Sequence, residues 1–130
     1  MRRVAEVTAF DVAELGSRRA YKLLTTALIP RPIAWVSTVS PDGTPNLAPY
    51  SFFNAVASDP LTVMFAPGTK ADGTPKDSLR NARNTGEFVV NLADEPLAGA
   101  LNETSEAWVY GVDEFIQAGV SAAPSSLVRA

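Results

Sequence analysis

The chain has 130 residues, 46% of them apolar, with a net charge of −3 at neutral pH and neither cysteine nor histidine. That length suits one globular domain burying roughly 65–70% of its unfolded surface. The acidic balance argues against nucleic acid or an anionic membrane as partner, and the two missing residue types exclude disulfides, thiolate chemistry, histidine bases, Ser-His-Asp triads and most zinc sites.

Nothing at the start, MRRVAEVTAF, has the apolar core of a signal peptide, and no run approaches the ~20 apolar residues of a membrane span. A soluble cytoplasmic protein is expected. The first element is a short amphipathic helix from Ser17 to Leu28, with Tyr21, Leu24 and Leu28 at helical spacing, Ser17 placed to cap it and Pro30 to stop it. Pro30 and Pro32 then hold Arg31 on a stiff, extended segment, which is equally readable as a rigid linker with a solvated Arg.

A strand follows over Ile33 to Ser40, then a tight turn at Pro41-Asp42-Gly43-Thr44 and an aromatic-rich second strand from Leu47 to Val56. Proline cannot donate to a ladder, so this second strand lies at an edge or pairs on one side only around Pro49. The third strand is Leu61 to Ala66, closed by Pro67-Gly68, and a polar loop covers Thr69 to Lys76. Asp77 or Ser78 caps a helix ending near Asn84, with Gly86 suited to the left-handed position beyond it.

The fourth strand, Glu87 to Ala93, puts Phe88, Val90 and Leu92 on one face and Val89 and Asn91 on the other. Pro96 to Leu101 reads as a short helix, Asp113 to Gln117 as a helical turn, and SAAPSSLVRA as a frayed tail. Residues 1–120 thus form the domain and 121–130 a flexible tail. Four strands do not easily close a barrel, and an open sheet leaves edges that need cover.

Three segments carry candidate chemistry. In KDSLRN, a helix start with Lys76 and the Ser78 hydroxyl offers an anion site, or else an ordinary capped surface helix. Ser37, Thr38 and Ser40 place hydroxyls in a strand that favours apolar residues, with Trp35 on the side of Ser37; they line a polar ligand cavity or a solvated strand edge. In NLAPYSFFNAV, Asn46, Tyr50, Ser51 and Asn54 set hydrogen-bonding groups among Phe52 and Phe53, as the wall of a flat heteroaromatic ring needs, or as a bulged hairpin allows.

The order of YKLLTTALIPRPIAWVST, NLAPYSFFNAV, KDSLRN with TGEFVVNL, and GVDEF resembles the flavin-reductase-like FMN-binding split barrels, from about Tyr21 to Val120. The resemblance implies a mainly β fold with short helices, a split β-barrel, FMN as cofactor and NAD(P)H as electron donor. It implies that Trp35, Ser37 and Thr38 line the flavin and its ribityl chain, that Ala48, Pro49, Tyr50, Ser51 and Asn54 follow the isoalloxazine edge, and that Lys76, Asp77 and Ser78 hold the phosphate. Flavin N5 then carries the chemistry, and no catalytic side chain or metal is required.

Family members usually continue past GVDEF with strands that close the barrel and build a dimer interface, so the expectation is a homodimer-forming domain whose C-terminal strands are missing. The function implied is hydride transfer from NAD(P)H to bound flavin and on to a flavin or a redox partner protein. The alternative is a non-catalytic FMN-binding or shortened protein that acts through dimerisation.

Overall fold

The computed structural model describes residues 7–130. The chain divides into two units, Met1–Arg31 and Pro32–Ala130. In the first, helix α1 (Val12–Ala27) starts at Asp11, whose Oδ1 accepts the Ala13 N–H at 2.8 Å. Gly16, at φ 65° and ψ 157°, interrupts it, so Ser17 heads the longer stretch where the sequence puts the helix start. At the other end Arg31 Nη1 donates to the carbonyl oxygens of Thr25 and Leu28, both at 2.7 Å. The guanidinium thereby satisfies carbonyls that a helix end leaves without partners.

The second unit is built on a three-stranded antiparallel sheet in the order β2 (Pro45–Tyr50), β1 (Ala34–Val39), β5 (Val89–Asn91), and a two-stranded sheet of β3 (Phe53–Ser58) and β4 (Leu61–Phe65). The β1–β2 turn closes where expected, with Ser40 N–H on Thr44 O at 2.9 Å and Gly43 at φ 95°, a conformation glycine adopts without strain. The single strand expected over Leu47 to Val56 is two strands in two sheets. β1 begins at Ala34, opposite Tyr50, so the register of the first sheet ends at that pair. The chain crosses there to the second, where Phe52 O accepts the Ala66 N–H at 2.9 Å.

Opposed residues of antiparallel strands share a face. Ala34, Val36 and Tyr50 form the buried core on one face, with Ala48, Phe53, Phe65 and Val90 packed against it. The Tyr50 and Phe65 rings lie 5.3 Å apart, and Phe65 meets Phe88 edge-on at 5.0 Å, so aromatic contact joins the two sheets. Trp35, Ser37 and Leu47 occupy the opposite face with Val89 and Asn91. β5 is shorter than the sequence suggests because β1 offers it only Trp35 to Ser37 as partners. Leu92 is left exposed.

Three α-helices complete this unit, α2 (Asp77–Thr85), α3 (Ala98–Glu103) and α4 (Glu114–Gln117), with a 3-10 turn at Glu95–Leu97 leading into α3. α2 ends as expected, with Gly86 left-handed at φ 76° and its N–H on Ala82 O. Its start differs: Lys76 is the N-cap, without a side-chain cap bond, and Ser78 lies inside the first turn.

Candidate functional site

The site is built along the outer edge of β2. The Leu47 N–H points away from β1 and donates to Glu114 Oε2 at 3.0 Å. Alternate residues of a strand direct their backbone groups to the same side, so Pro45 and Pro49 flank Leu47 on this edge. Neither has an N–H to leave unpaired. Two prolines and one carboxylate thus satisfy an edge that would otherwise recruit another strand.

Glu114 reaches that edge from the first turn of α4, which Asp113 caps by accepting the Phe115 N–H at 2.9 Å. The glutamate is 6% exposed. Burial pushes its carboxyl above the ordinary value; the Leu47 N–H pulls it down, and the charges of Asp77 and Asp113 add to the rise.

α2 is fastened beneath the sheet by side-chain amides and hydroxyls. Ser78 Oγ, fully buried, accepts from Asn46 Nδ2 at 2.9 Å and from the Tyr50 hydroxyl at 3.0 Å. Asn81 Nδ2 donates to Thr38 Oγ1 at 3.1 Å. Burial raises the Tyr50 phenol above its ordinary value, against the lowering effect of its bond to Ser78. Asp77 is paired with Lys70, whose Nζ lies 2.8 and 2.9 Å from its two carboxylate oxygens. Lys76, one residue earlier, has no carboxylate partner among the described residues.

These groups enclose a cavity of about 330 Å³. One side is β2, through Asn46, Ala48, Pro49 and Tyr50; a second is the loop and helix start bearing Lys70, Lys76 and Asp77; the third is the segment from Thr104 to Trp108 with Glu114. Trp35 fixes that third wall from outside, its Nε1 donating to Thr104 Oγ1 at 2.8 Å. A larger hollow, of about 480 Å³, lies against the other face of the sheet beside Trp35, Ser37 and Asn91. Its lining includes no Lys or Arg side chain, so an anion finds no cationic side chain there.

Residues 26–129 match the flavin reductase like domain. The chain belongs to that family. It is 45% identical over 126 residues to an uncharacterized protein of Deinococcus radiodurans, a match covering 94% of this chain and 56% of that one. Among solved structures it is similar to nitrilotriacetate monooxygenase component B from Bacillus cereus, at 37% identity and TM-score 0.88, over 96% of this chain and 61% of that one. It is also similar to 2-nitrobenzoate 2-nitroreductase from Pseudomonas fluorescens, at 30% identity and TM-score 0.78, over 93% and 57% of the two chains. The chain thus spans a little over half the length of these relatives. The fold is the split-barrel fold of the flavin reductases, with strands and short helices and no closed barrel among the described residues. No described helix is long and apolar enough to cross a membrane.

Within this flavin-reductase-like domain the expected site residues fall into three groups. Ala48, Pro49, Tyr50, Lys76 and Asp77 line one cavity together. Ser78 and Thr38 are buried beneath it and hold α2 to the sheet. Trp35 and Ser37 face away; Ser37 Oγ accepts from Asn91 Nδ2 at 3.3 Å. Ser51 is half-buried at the crossing between the sheets, and Asn54 is exposed, its Oδ1 accepting the Ala55 N–H at 2.8 Å. The strand hydroxyls therefore have protein partners, and among the described residues no buried side-chain oxygen or nitrogen lacks one. Sequence reasoning missed Lys70, Thr104, Trp108 and Glu114 as cavity residues. Only Glu114 carried a signal, as part of GVDEF.

Proposed function

We propose that this domain binds FMN in the cavity along the β2 edge and takes part in electron transfer from NAD(P)H to a flavin or protein acceptor. The observation that carries the reading is the placement of Lys76 beside the start of α2, on the wall of a cavity whose opposite wall is the proline-bearing edge of β2. Its volume of about 330 Å³ lies within the range of small-molecule sites. Lys76 has an ammonium with no carboxylate partner among the described residues, and the helix start adds N–H groups and a partial positive charge. These suit a phosphate. Tyr50 and Trp108 supply aromatic surface on the walls, as a flat ring system requires.

In this reading Ala48, Pro49, Tyr50 and Ser51 run along the ring edge, with Asn54 offering its amide nitrogen at the crossing to β3. Lys76 neutralises the phosphate, and Asp77 keeps Lys70 in place. Trp35 acts through Thr104, and Thr38 and Ser78 act by fixing α2. FMN, when bound, supplies the redox chemistry, and the protein supplies position and electrostatics. No acid or base side chain is needed, which suits a chain without histidine.

Exposed apolar side chains on the β3–β4 sheet, Val56, Leu61, Val63 and Met64, support a homodimer. They equally favour the second reading, a non-catalytic FMN-binding protein that works through dimerisation. We place either form in the cytoplasm. Incubation with FMN followed by gel filtration tests both: a colourless protein overturns FMN binding. A yellow protein that anaerobic NADH and NADPH fail to bleach overturns the reductase and leaves the binding protein.

A further inference from the structure

Glu114 carries a carboxylate oxygen, Oε1, to which no other residue among those described is bonded. Its bond to another residue runs through Oε2 to the Leu47 N–H, and the only other backbone group acting on the carboxylate is its own N–H. No buried side-chain oxygen among the described residues lacks a partner, and Glu114 is 6% exposed and lines the cavity. Oε1, with no other residue bonded to it among those described, therefore keeps some accessible surface, on a residue that lines the cavity. A carboxylate so placed costs stability, because burial disfavours its charge. Leu47 alone does not call for it, since any neutral acceptor of the same shape would serve that N–H.

We infer that Glu114 is the specificity-determining acceptor of the cavity: Oε2 is committed to Leu47, and Oε1 takes an O–H or N–H of the bound ligand. The inference rests on the flavin reading above and sharpens it. Among the described residues the cavity has an ammonium at Lys76 with no carboxylate partner and, at Glu114, a carboxylate with one oxygen on Leu47. It therefore selects a ligand that carries an anion and, elsewhere, a hydrogen-bond donor. A second anionic group facing Glu114 is repelled. In a flavin the donors are the ribityl hydroxyls and the ring N3–H.

Chemistry separates this role from a merely structural one. In Glu114→Gln the side chain has one acceptor and one donor group. The amide oxygen must serve Leu47, because that N–H has no other partner among the described residues. The –NH2 is then presented to the cavity, where it meets the donor of the ligand. The substitution keeps the wall in place and reverses the hydrogen-bonding polarity toward the ligand.

The test is a fluorescence titration of the full chain and of Glu114→Gln with riboflavin and with lumiflavin, which keeps N3–H but lacks the ribityl chain. Thermal unfolding of both proteins is measured in parallel. The expected result is a variant as stable as the parent at neutral pH that binds riboflavin about tenfold or more weakly, the size of a lost hydrogen bond to a charged group. Loss with both probes places Oε1 on N3–H, and loss with riboflavin alone places it on the hydroxyls. A stable variant with unchanged affinity for both probes overturns the inference and leaves flavin binding intact. A parent protein that binds neither probe overturns the flavin reading and the inference together.

Discussion

Trp35 Nε1 and Thr104 Oγ1 are 2.8 Å apart, and this hydrogen bond ties the central strand of the sheet to the far wall of the cavity. Trp35 is 5% exposed, so the bond is made in a largely dry setting. Trp35→Phe keeps an aromatic ring and removes the donor. We expect it to destabilise the protein by about 1 kcal/mol, the net worth of one hydrogen bond, and to weaken FMN binding without favouring riboflavin over FMN. Urea unfolding and paired titrations measure the two effects.

Ser78 is predicted to matter for folding rather than for phosphate selectivity. Its hydroxyl accepts from two buried donors, Asn46 Nδ2 and the Tyr50 hydroxyl. Ser78→Ala leaves both without it, at a cost of about 2 kcal/mol or more. The ratio of FMN to riboflavin affinity should not change. A variant of normal stability that loses FMN selectively would return Ser78 to the phosphate site.

Lys76 and Lys70 should behave differently although both line the cavity. Lys76 has no carboxylate partner among the described residues, whereas Lys70 is bound by both oxygens of Asp77. Lys76→Ala is expected to weaken FMN about tenfold while sparing riboflavin, because only FMN carries the phosphate. Lys70→Ala releases the Asp77 charge beside the phosphate and should weaken FMN as well, with partial recovery in the Lys70→Ala, Asp77→Asn double variant. Calorimetric titration with both flavins reads these differences.

The order of elements and several of their ends were legible in the sequence. Gly86 marked the end of α2, Gly43 the tight turn, and Pro49 an edge, each because one residue's backbone chemistry decides the matter. The crossing at Ser51 and Phe52 was not legible. The aromatic run continues through it, and the break depends on where β1 begins to pair. The strand hydroxyls pointed to a ligand because their partners, Asn81 and Asn91, lie 43 and 54 residues away in sequence. Glu114 is hidden for the same reason, its partner Leu47 being 67 residues distant.

Glu114 also gives the fold a pH dependence whose sign is fixed. Burial raises its carboxyl above the ordinary 4.5, the Leu47 N–H and its own N–H lower it, and the charges of Asp77 and Asp113 add to the rise. The folded state then holds the proton more tightly than the unfolded one. Its contribution is fully present below the unfolded value and is lost as pH rises through the folded one. Glu114→Gln removes that loss. Its unfolding midpoint should match or exceed the parent's at neutral pH, with the difference closing below about pH 4.5. A variant that is less stable at neutral pH than at acid pH, relative to the parent, contradicts this.

The cavity assignment is tested most directly by the backbone amide signals of the isotope-labelled chain as FMN is added. We predict that the shifted resonances cluster at Ala48, Tyr50, Lys76 and Asp77, with Thr104 and Trp108 on the facing wall, while Val89, Asn91 and Ser121 beside the larger hollow stay in place. Shifts confined to Ser37, Val89, Asn91 and Ser121, or no shifts at saturating FMN, would contradict the account.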